Sequence, residues 1–391
     1  MGSTRMKRGL LPLSVDPVTY GHLDLIRRAQ EQCDHLTIAV CNHDGKMGSY
    51  TFTLEERAKF LISAMYLVGL KAEVLQVSKT PIPDLFLREN CDVIFRGVRS
   101  AEDQEDDERN YELHNVLLPG IKSKVVYIQG ADWLRHVSSS AVKSLVVKGA
   151  DVSTLVPVFV KYELERKLLS QYKIGVTGGV ASGKSFVCEQ LVKSMHTHHM
   201  PMYHLCVDQL VRDLYDEVTP AGDMIRDYLA TKLGVECLNA DRKTVDRKVM
   251  MRKLFLEDSS GEARADLNTL LAPHLSRKYR EAVRGRVGII LFEWAMIAEE
   301  GLEGSVNNHV IVVSSPEQEA YAKGRGVPPE VFEKLQGLHW PHERVVASLQ
   351  NSVDLARIGK VIEWENPNDI VLLRDQILNT FNIKTYPRTN T

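Results

Sequence analysis

The sequence predicts two successive α/β domains, each built on a parallel, doubly wound sheet. Short apolar strands alternate with helices along the chain, and this order is typical of parallel sheets covered by helices. A glycine-rich loop at residues 178–185 opens a second series of strands and helices. The length of 391 residues also favours two hydrophobic cores over one.

The composition is that of an ordinary globular protein, with 44% apolar and 26% charged residues and a net charge of −2. The absence of a basic excess argues against nucleic-acid binding, and no apolar run is long enough to predict a membrane span. The six cysteines are scattered without a C-x-x-C motif, which predicts reduced thiols and a cytoplasmic location. A mitochondrial association is left open, because the basic start of the chain is no clear targeting signal.

Residues 1–160 form the first predicted domain, and a linking helix is expected at 161–171. Thr53, followed three residues later by Glu56, has the pattern of a capping box and predicts a helix that runs to about residue 67. Apolar runs predict strands at 9–13, 35–41, 72–77, 93–95 and 124–128. Further helices are expected at 21–32, 83–89, 102–114 and 138–147.

Residues 172–391 form the second predicted domain. A strand at 173–177 leads into the glycine-rich loop, and apolar residues at helical spacing follow at 186–195. Other strands are expected at 203–207, 287–292 and 309–314, with a helix at 209–215.

The glycine-rich loop fits G-x-x-x-x-G-K-[ST] without a gap, between a predicted strand and a predicted helix. This pattern predicts a phosphate-binding loop whose backbone N–H groups face the phosphates of ATP. Lys184 is expected on the β- and γ-phosphates and the Ser185 hydroxyl on Mg²⁺. A glycine-rich turn without a ligand is the alternative, and the flanking elements argue against it. The predicted ATP-binding residues are Gly178, Gly179, Val180, Ala181, Ser182, Gly183, Lys184 and Ser185.

Asp208 follows the predicted strand 203–207, which we expect beside the strand that leads into the loop. A carboxylate there can accept the proton of an attacking hydroxyl. The alternative is that Asp208 caps the next helix, and both roles are compatible.

The first domain carries a second signature, Thr19-Tyr20-Gly21-His22, at the start of the first helix. A helix N-terminus at the carboxyl end of a strand is a common place for phosphate, and His22 can donate a hydrogen bond to a phosphoryl oxygen. A capped helix with one surface histidine is the alternative.

Other motifs accompany this signature in order: Asp16-Pro17, the run F-T-L-E-E-R at 52–57, Arg96-Gly97-Val98-Arg99, and S-S-S-A-V-K at 138–143. Surface charge or ion pairing is the alternative reading of isolated arginines. In this order and spacing, the first domain resembles bacterial-type phosphopantetheine adenylyltransferase, a Rossmann-like nucleotidyltransferase. Two positions depart from the family pattern, with Leu13 in place of a glycine and Val15 in place of a phenylalanine.

This resemblance implies transfer of AMP from ATP to the phosphate of 4′-phosphopantetheine. By motif position, His22 matches the histidine that stabilises charge at the α-phosphate, and Ser14 matches the threonine that holds the substrate phosphate. Lys46 falls in the loop that supplies a lysine to substrate and ATP. The resemblance also implies a substrate contact for Arg96 and ATP contacts for Ser14, Arg99, Asp107, Ser138, Ser139 and Ser140.

The second domain resembles dephospho-coenzyme A kinase, a P-loop NTPase-type kinase, through the loop, Asp246-Arg247, the stretch at 267–274 and the acid-led stretch at 293–299. The resemblance implies transfer of the γ-phosphate of ATP to a ribose 3′-hydroxyl. Asp208 would be the base and Arg247 a substrate contact. In the lid, Arg325 matches an ATP-binding arginine, whereas Tyr321 replaces an earlier one; Cys206 and Ala272 are further departures.

Two possible metal sites are interpreted as ordinary polar surface. The run His196-Thr197-His198-His199, with His204 nearby, falls where a polar connection between a helix and a strand is expected. The acidic stretch at 102–108 is interpreted as a solvated helix face.

Together the two resemblances imply a bifunctional enzyme that makes coenzyme A from 4′-phosphopantetheine with Mg²⁺ and ATP. Two alternatives stay open. One is a P-loop kinase for another small molecule, with a vestigial nucleotidyltransferase domain. The other is a nucleotide-binding scaffold without catalysis.

Overall fold

The computed structural model describes residues 6–42, 49–195, 200–258, 260–324 and 326–383. The chain divides into two compact units, each with its own sheet. The first runs to Val146 and includes Asp151–Lys167, and the second takes Val147–Ala150 and the chain from Leu168 onward. The helix expected as a link at 161–171 spans Val158–Leu169 in the structure, and it belongs to the first unit through Lys167.

The first unit is a five-stranded parallel sheet flanked by helices, and its strand order is β3-β2-β1-β4-β5. Its strands are β1 (Arg8–Leu13), β2 (His35–Cys41), β3 (Glu73–Val77), β4 (Val93–Val98) and β5 (Val125–Gln129). Its helices are α1 (Tyr20–Gln30), α2 (Leu54–Leu67), α3 (Ile82–Arg88), α4 (Ala101–Leu117), α5 (Ser139–Val147) and α6 (Val158–Leu169).

Apolar runs form the central strands of this sheet because both of its faces are covered. Leu10, Ile38 and Ile94 are completely buried. Strand β1 pairs with β2 on one side and with β4 on the other. The capping box predicted at Thr53 is confirmed: its backbone N–H donates to Glu56 Oε2 at 2.7 Å, and Glu56 N–H donates to Thr53 Oγ1 at 3.1 Å.

The second unit is also a five-stranded parallel sheet, with the strand order β10-β9-β6-β8-β7. Its strands are β6 (Gln171–Thr177), β7 (Met202–Cys206), β8 (Gly288–Glu293), β9 (His309–Ser314) and β10 (Lys360–Glu365). Its helices are α7 (Lys184–Ser194), α8 (Val207–Tyr215), α9 (Pro220–Lys232), α10 (Arg247–Arg252), α11 (Glu262–Val283), α12 (Gln318–Gly324), α13 (Pro329–Leu338), α14 (His342–Ala356) and α15 (Ile370–Thr380).

Helices α8 to α11 pack around an apolar cluster of their own, in which Leu214, Ile225 and Leu229 are completely buried. A π-helical turn at Lys253–Glu257 follows α10. No helix of the described residues is long and apolar enough to cross a membrane.

The predicted fold class of two parallel-sheet α/β domains is confirmed. One expected neighbour relation is wrong. Strand β7, which precedes Asp208, does not lie beside β6, because β8 pairs with both and separates them. An apolar run predicts a buried strand but not its partner, so the order could not follow from these runs.

Candidate active sites

The first candidate site lies where the strand order of the first sheet reverses. The chain proceeds from β1 to β2 and β3 on one side and then returns to place β4 and β5 on the other. In an open parallel sheet, the carboxyl ends of the two strands at such a point form a crevice that binds ligands. Ser14 follows β1 directly, and Arg96 lies near the end of β4.

Helix α1 begins at this crevice, and a capping box between Thr19 and His22 caps its N-terminus. The Thr19 backbone N–H donates to His22 Nδ1 at 3.0 Å, and the Thr19 hydroxyl lies 2.9 Å from the same nitrogen. An amide N–H can only donate, so Nδ1 is unprotonated and the neutral ring carries its hydrogen on Nε2. His22 therefore has a donor available for an anion at the helix N-terminus.

Burial of the ring, followed by the positive charge of Arg99, lowers the pKa of His22 to about 4. The folded value lies below the ordinary value of 6.5, so between these pH values the unfolded chain binds more protons. We therefore expect this contribution to stability to be complete above pH 6.5 and lost as the pH falls toward 4.

We expect the His22 ring to titrate near pH 4 rather than near 6.5. Ring-proton NMR shifts followed against pH measure this midpoint, and a His22→Gln variant assigns the signal. A midpoint for His22 at or above pH 6 would contradict the desolvated, neutral ring.

Two buried charged residues hold the loop after β1, and neither was predicted as a site residue. The Asp16 carboxylate accepts hydrogen bonds from Thr51 N (3.0 Å), Phe52 N (2.9 Å) and Lys143 Nζ (2.7 Å). Arg57 is 1% exposed. Its guanidinium donates to Ser14 O at 2.6 Å, to Cys41 O at 3.1 Å and to Asn42 Oδ1.

These contacts explain why the motifs quoted from the sequence occur together: they meet at one segment of the structure. Phe52 and Arg57 belong to the F-T-L-E-E-R run and Lys143 to the serine-led run, and all contact the segment between β1 and α1. The motifs themselves were therefore the available signal for Asp16 and Arg57.

Arg96 and Asp107 form a two-pronged ion pair rather than standing apart. Arg96 Nε lies 3.0 Å from both Asp107 oxygens, and Arg96 Nη2 also donates to Asp107 Oδ1. Because the two side chains are in contact, the ligands expected for them, the substrate for Arg96 and ATP for Asp107, would lie next to each other. Arg99 is exposed, and its backbone N–H donates to Asp103 Oδ2 at 3.0 Å.

The three serines lie at the start of α5. Ser138 Oγ accepts a hydrogen bond from Ala141 N at 3.1 Å, and Ser139 Oγ donates to Pro17 O at 2.8 Å. Ser140 is exposed in the first turn. The start of this helix is thus tied to the segment that precedes α1.

The second candidate site is the glycine-rich loop between β6 and α7. Lys184 Nζ donates to the carbonyl oxygens of Gly178 at 3.0 Å and Gly179 at 2.9 Å, so the side chain lies across the loop. Gly178, Ala181 and Gly183 have φ values of 142°, 58° and 91°. Val180 lines the adjoining cleft with the first two glycines, and Ser182, within the loop, is completely buried.

We expect Gly178→Ala to destabilise the second unit by more than about 3 kcal/mol, because a Cβ would overlap the carbonyl oxygen of Val313 and the backbone conformation is open only to glycine. Gly285→Ala is the matched control. Its φ is 72° with no atom within 4 Å of the new Cβ, so a loss of about 1–2 kcal/mol is expected. Urea unfolding followed by tryptophan fluorescence reports mainly on this unit, which contains Trp294, Trp340 and Trp364. Equal losses would contradict the overlap.

Glu293, the last residue of β8, connects the loop to the neighbouring strands. Ser185 Oγ donates to Glu293 Oε1 at 2.7 Å, and His204 Nε2 lies 2.7 Å from Glu293 Oε2. The hydrogen bonds from His204 and Ser185 outweigh burial and lower the pKa of Glu293. The sequence analysis noted Glu293 as the first residue of the acid-led stretch at 293–299 but predicted no role for it.

Asp208 lies in the first turn of α8, at the same edge of the sheet. Its side chain reaches solvent, yet the surrounding protein desolvates the carboxyl and raises its pKa, against the attraction of Lys184. The charge of Glu293 raises the pKa further. A carboxyl with raised pKa beside a phosphate-binding lysine suits a proton acceptor.

A cleft of about 290 Å³ opens beside the loop. Gly178, Gly179 and Val180 form one side of it, and Glu299, His339 and Trp340 are among the residues opposite. The Trp340 backbone N–H donates to Glu299 Oε1 at 3.0 Å, which fixes this wall. The cleft adjoins the loop and has the concave shape that small-molecule sites share.

Each unit matches a known protein family. Residues 14–145 match the cytidylyltransferase-like family, and residues 172–324 match the dephospho-CoA kinase family. A phosphopantetheine adenylyltransferase of Borrelia turicatae is 31% identical over 42% of this chain and 99% of its own length. Another, from Rubrobacter xylanophilus, is 31% identical over 39% of this chain and 89% of its own length.

The chain belongs to the phosphopantetheine adenylyltransferase family. It joins that family's cytidylyltransferase-like domain to a dephospho-CoA kinase domain, and both domains come from ATP-using enzyme families. The match to the nucleotidyltransferase family begins at Ser14 and extends beyond Ser140, and the match to the kinase family includes Lys184, Asp208 and Arg247.

Three predicted site residues, Arg247, Lys46 and Arg325, are absent from the contacts given above. Arg247 lies at the start of α10, where it is exposed and ion-paired with Asp216 at 2.9 Å. Lys46 and Arg325 lie outside the described residues, as does the histidine run at 196–199. His204, which was considered with that run as a possible metal site and interpreted as polar surface, is described, and its partner is Glu293.

Proposed function

We propose that the two units catalyse successive steps of coenzyme A synthesis. The first unit transfers AMP from ATP to 4′-phosphopantetheine, and the second phosphorylates the ribose 3′-hydroxyl of the resulting dephospho-coenzyme A. One observation carries the proposal. The chain has two separate places where a helix begins beside the carboxyl end of a parallel strand, and each lies within its own matching family domain. A kinase with a vestigial first domain and a scaffold without catalysis are not favoured.

In the first step, a phosphate oxygen of 4′-phosphopantetheine attacks the α-phosphorus of ATP and pyrophosphate leaves. The attacking group is already an anion, so no side chain has to remove a proton from it. The work of the site is to position two anions and stabilise the added negative charge. His22 suits this role because it lies in the first turn of α1, where the helix dipole favours an anion. Thr19 binds its Nδ1, so the proton of the neutral ring is on Nε2 and can be donated to the substrate.

In the second step, the ribose hydroxyl attacks the γ-phosphorus of ATP and ADP leaves. Asp208 accepts the hydroxyl proton, for which its raised pKa and its place at the strand ends are suited. Lys184 moves from the loop carbonyl groups onto the β- and γ-phosphates.

The residues around Ser185 fit Mg²⁺. The Ser185 hydroxyl donates to the Glu293 carboxylate, and Asp208 lies close enough to Glu293 for their charges to interact. Oxygen donors of this kind are the ligands that Mg²⁺ prefers. When bound with ATP, the ion neutralises charge on the β- and γ-phosphates. Glu293 orients Ser185 for that contact.

The cytoplasmic location stays a prediction.

The test supplies the purified chain with ATP, Mg²⁺ and 4′-phosphopantetheine. Pyrophosphate release is expected first, followed by coenzyme A, and dephospho-coenzyme A supplied directly is expected to yield coenzyme A without pyrophosphate. Nucleosides offered in its place test for a different kinase substrate. Dephospho-coenzyme A that accumulates without conversion would contradict the second half of the proposal, and the absence of pyrophosphate would contradict the first.

A further inference from the structure

A group of metal-ligating side chains lies beneath the glycine-rich loop of the second unit. Cys188 is on α7, His204 on β7 and Glu293 at the end of β8. One ligand atom from each of the three lies within 4.8 Å of the others. Cys188 is 0% and Glu293 4% exposed. Three different elements therefore present a thiol, an imidazole and a carboxylate to one buried place.

A second thiol adjoins this group. Cys206, the last residue of β7, interacts with the Glu293 carboxylate, and burial with that charge raises the pKa of its thiol to about 11. Burial, followed by the charges of Glu293 and Cys206, raises the pKa of the Cys188 thiol. Both thiols are free of disulfide bonds. The group of three itself offers one sulfur atom, one nitrogen and one carboxylate.

We propose that Cys188, His204 and Glu293 bind one divalent ion of the zinc class, with the fourth position left to water. A sulfur, an imidazole and a carboxylate form a set that zinc accepts in tetrahedral sites and that hard ions such as Mg²⁺ do not favour. Ligand atoms around tetrahedral zinc are separated by roughly 3.4–3.8 Å, so His204 Nε2 and Glu293 Oε2, now 2.7 Å apart, would move apart on binding. The thiol that binds loses its proton to solvent.

The hydrogen bonds of Glu293 are consistent with this role. Its Oε2 faces His204 Nε2, so an ion between them would replace that hydrogen bond with two metal–ligand bonds. Its Oε1 accepts from Ser185 and remains available to orient the carboxylate as a bound ligand. The site is distinct from the Mg²⁺ position at Ser185 because it uses Glu293 Oε2, which faces His204, whereas Ser185 contacts Oε1.

The test titrates the full chain, first stripped of metal with a chelator, with Co²⁺ in the absence of ATP and Mg²⁺. Cobalt bound by thiolate and arranged tetrahedrally gives intense charge-transfer and visible bands. One ion per chain is expected. Cys188→Ser and His204→Val are each expected to weaken binding by at least the ~10- to 100-fold that loss of an outer-sphere partner costs.

Cys237→Ser is the matched control, because Cys237 is a fully buried thiol in the helical cluster of the same unit. It is expected to bind Co²⁺ as the unaltered chain does. The proposal is overturned if the unaltered chain gives no thiolate band, or if the band survives in both ligand variants.

X-ray absorption of the zinc complex of the unaltered chain provides a test that needs no variant. A shell that contains one sulfur with nitrogen and oxygen neighbours supports the site, and a shell of oxygen and nitrogen alone overturns it. Neither measurement depends on catalysis, so its outcome is separate from that of the proposed function.

Discussion

Lys184→Ala is expected to stop formation of coenzyme A while pyrophosphate release from the first step continues. Lys184 is the charged side chain that lies across the glycine-rich loop, held by the carbonyl oxygens of Gly178 and Gly179. Alanine removes the cation that would meet the β- and γ-phosphates in the transition state. Loss of one such group costs roughly 10²–10³-fold in rate.

The measurement follows both products in one reaction, with pyrophosphate and coenzyme A assayed separately. Lys193→Ala is the control, since Lys193 is an exposed lysine near the end of the same helix. That variant is expected to keep both steps. Equal loss of both steps in Lys184→Ala, with the fold intact by circular dichroism, would mean that the loop serves the first reaction too.

His22→Ala is expected to have the opposite effect. Pyrophosphate release should fall by roughly 10²–10³-fold, because the donor that we propose for the α-phosphate is lost, while dephospho-coenzyme A supplied directly should still be phosphorylated. The second step thus serves as an internal control on the same polypeptide. The change also removes the acceptor of the Thr19 N–H, so some loss of stability at the start of α1 is expected.

His22→Gln separates the two effects, because an amide can cap the helix but presents a different donor. If it restores stability without restoring the rate, the ring acts on the ligand. His35→Ala is the matched control. His35 lies at the opposite end of β2 and pairs with Glu73 at 3.2 Å. A full rate in His22→Ala would remove His22 from the mechanism.

Local sequence patterns predicted the parts of this protein whose signals are contiguous. The glycine-rich loop requires eight consecutive positions, and the Thr53 capping box needs four. Strand β2 has the predicted bounds, because its apolar run is buried on both faces. In such segments, the residues that determine the structure are close together in the chain.

Features that depend on distant residues were not predicted. Ser185 and Glu293 are separated by 108 positions, and their hydrogen bond exists only because β8 pairs with β6. Strand β10 was also missed: only Ile362 and Trp364 of its residues are buried, with charged residues between and after them. An edge strand of this kind gives a weak hydrophobic signal.

The ion pair of Arg96 and Asp107 has a consequence for how ligands enter the first unit. Asp107 already occupies the edge of the guanidinium formed by Nε and Nη2, at 3.0 Å from Nε, so an incoming phosphate would compete with a built-in counter-ion. Weakly charged solutes would gain little from such an exchange. We therefore expect the first unit to favour multiply charged phosphates over the monovalent anions that surround the protein.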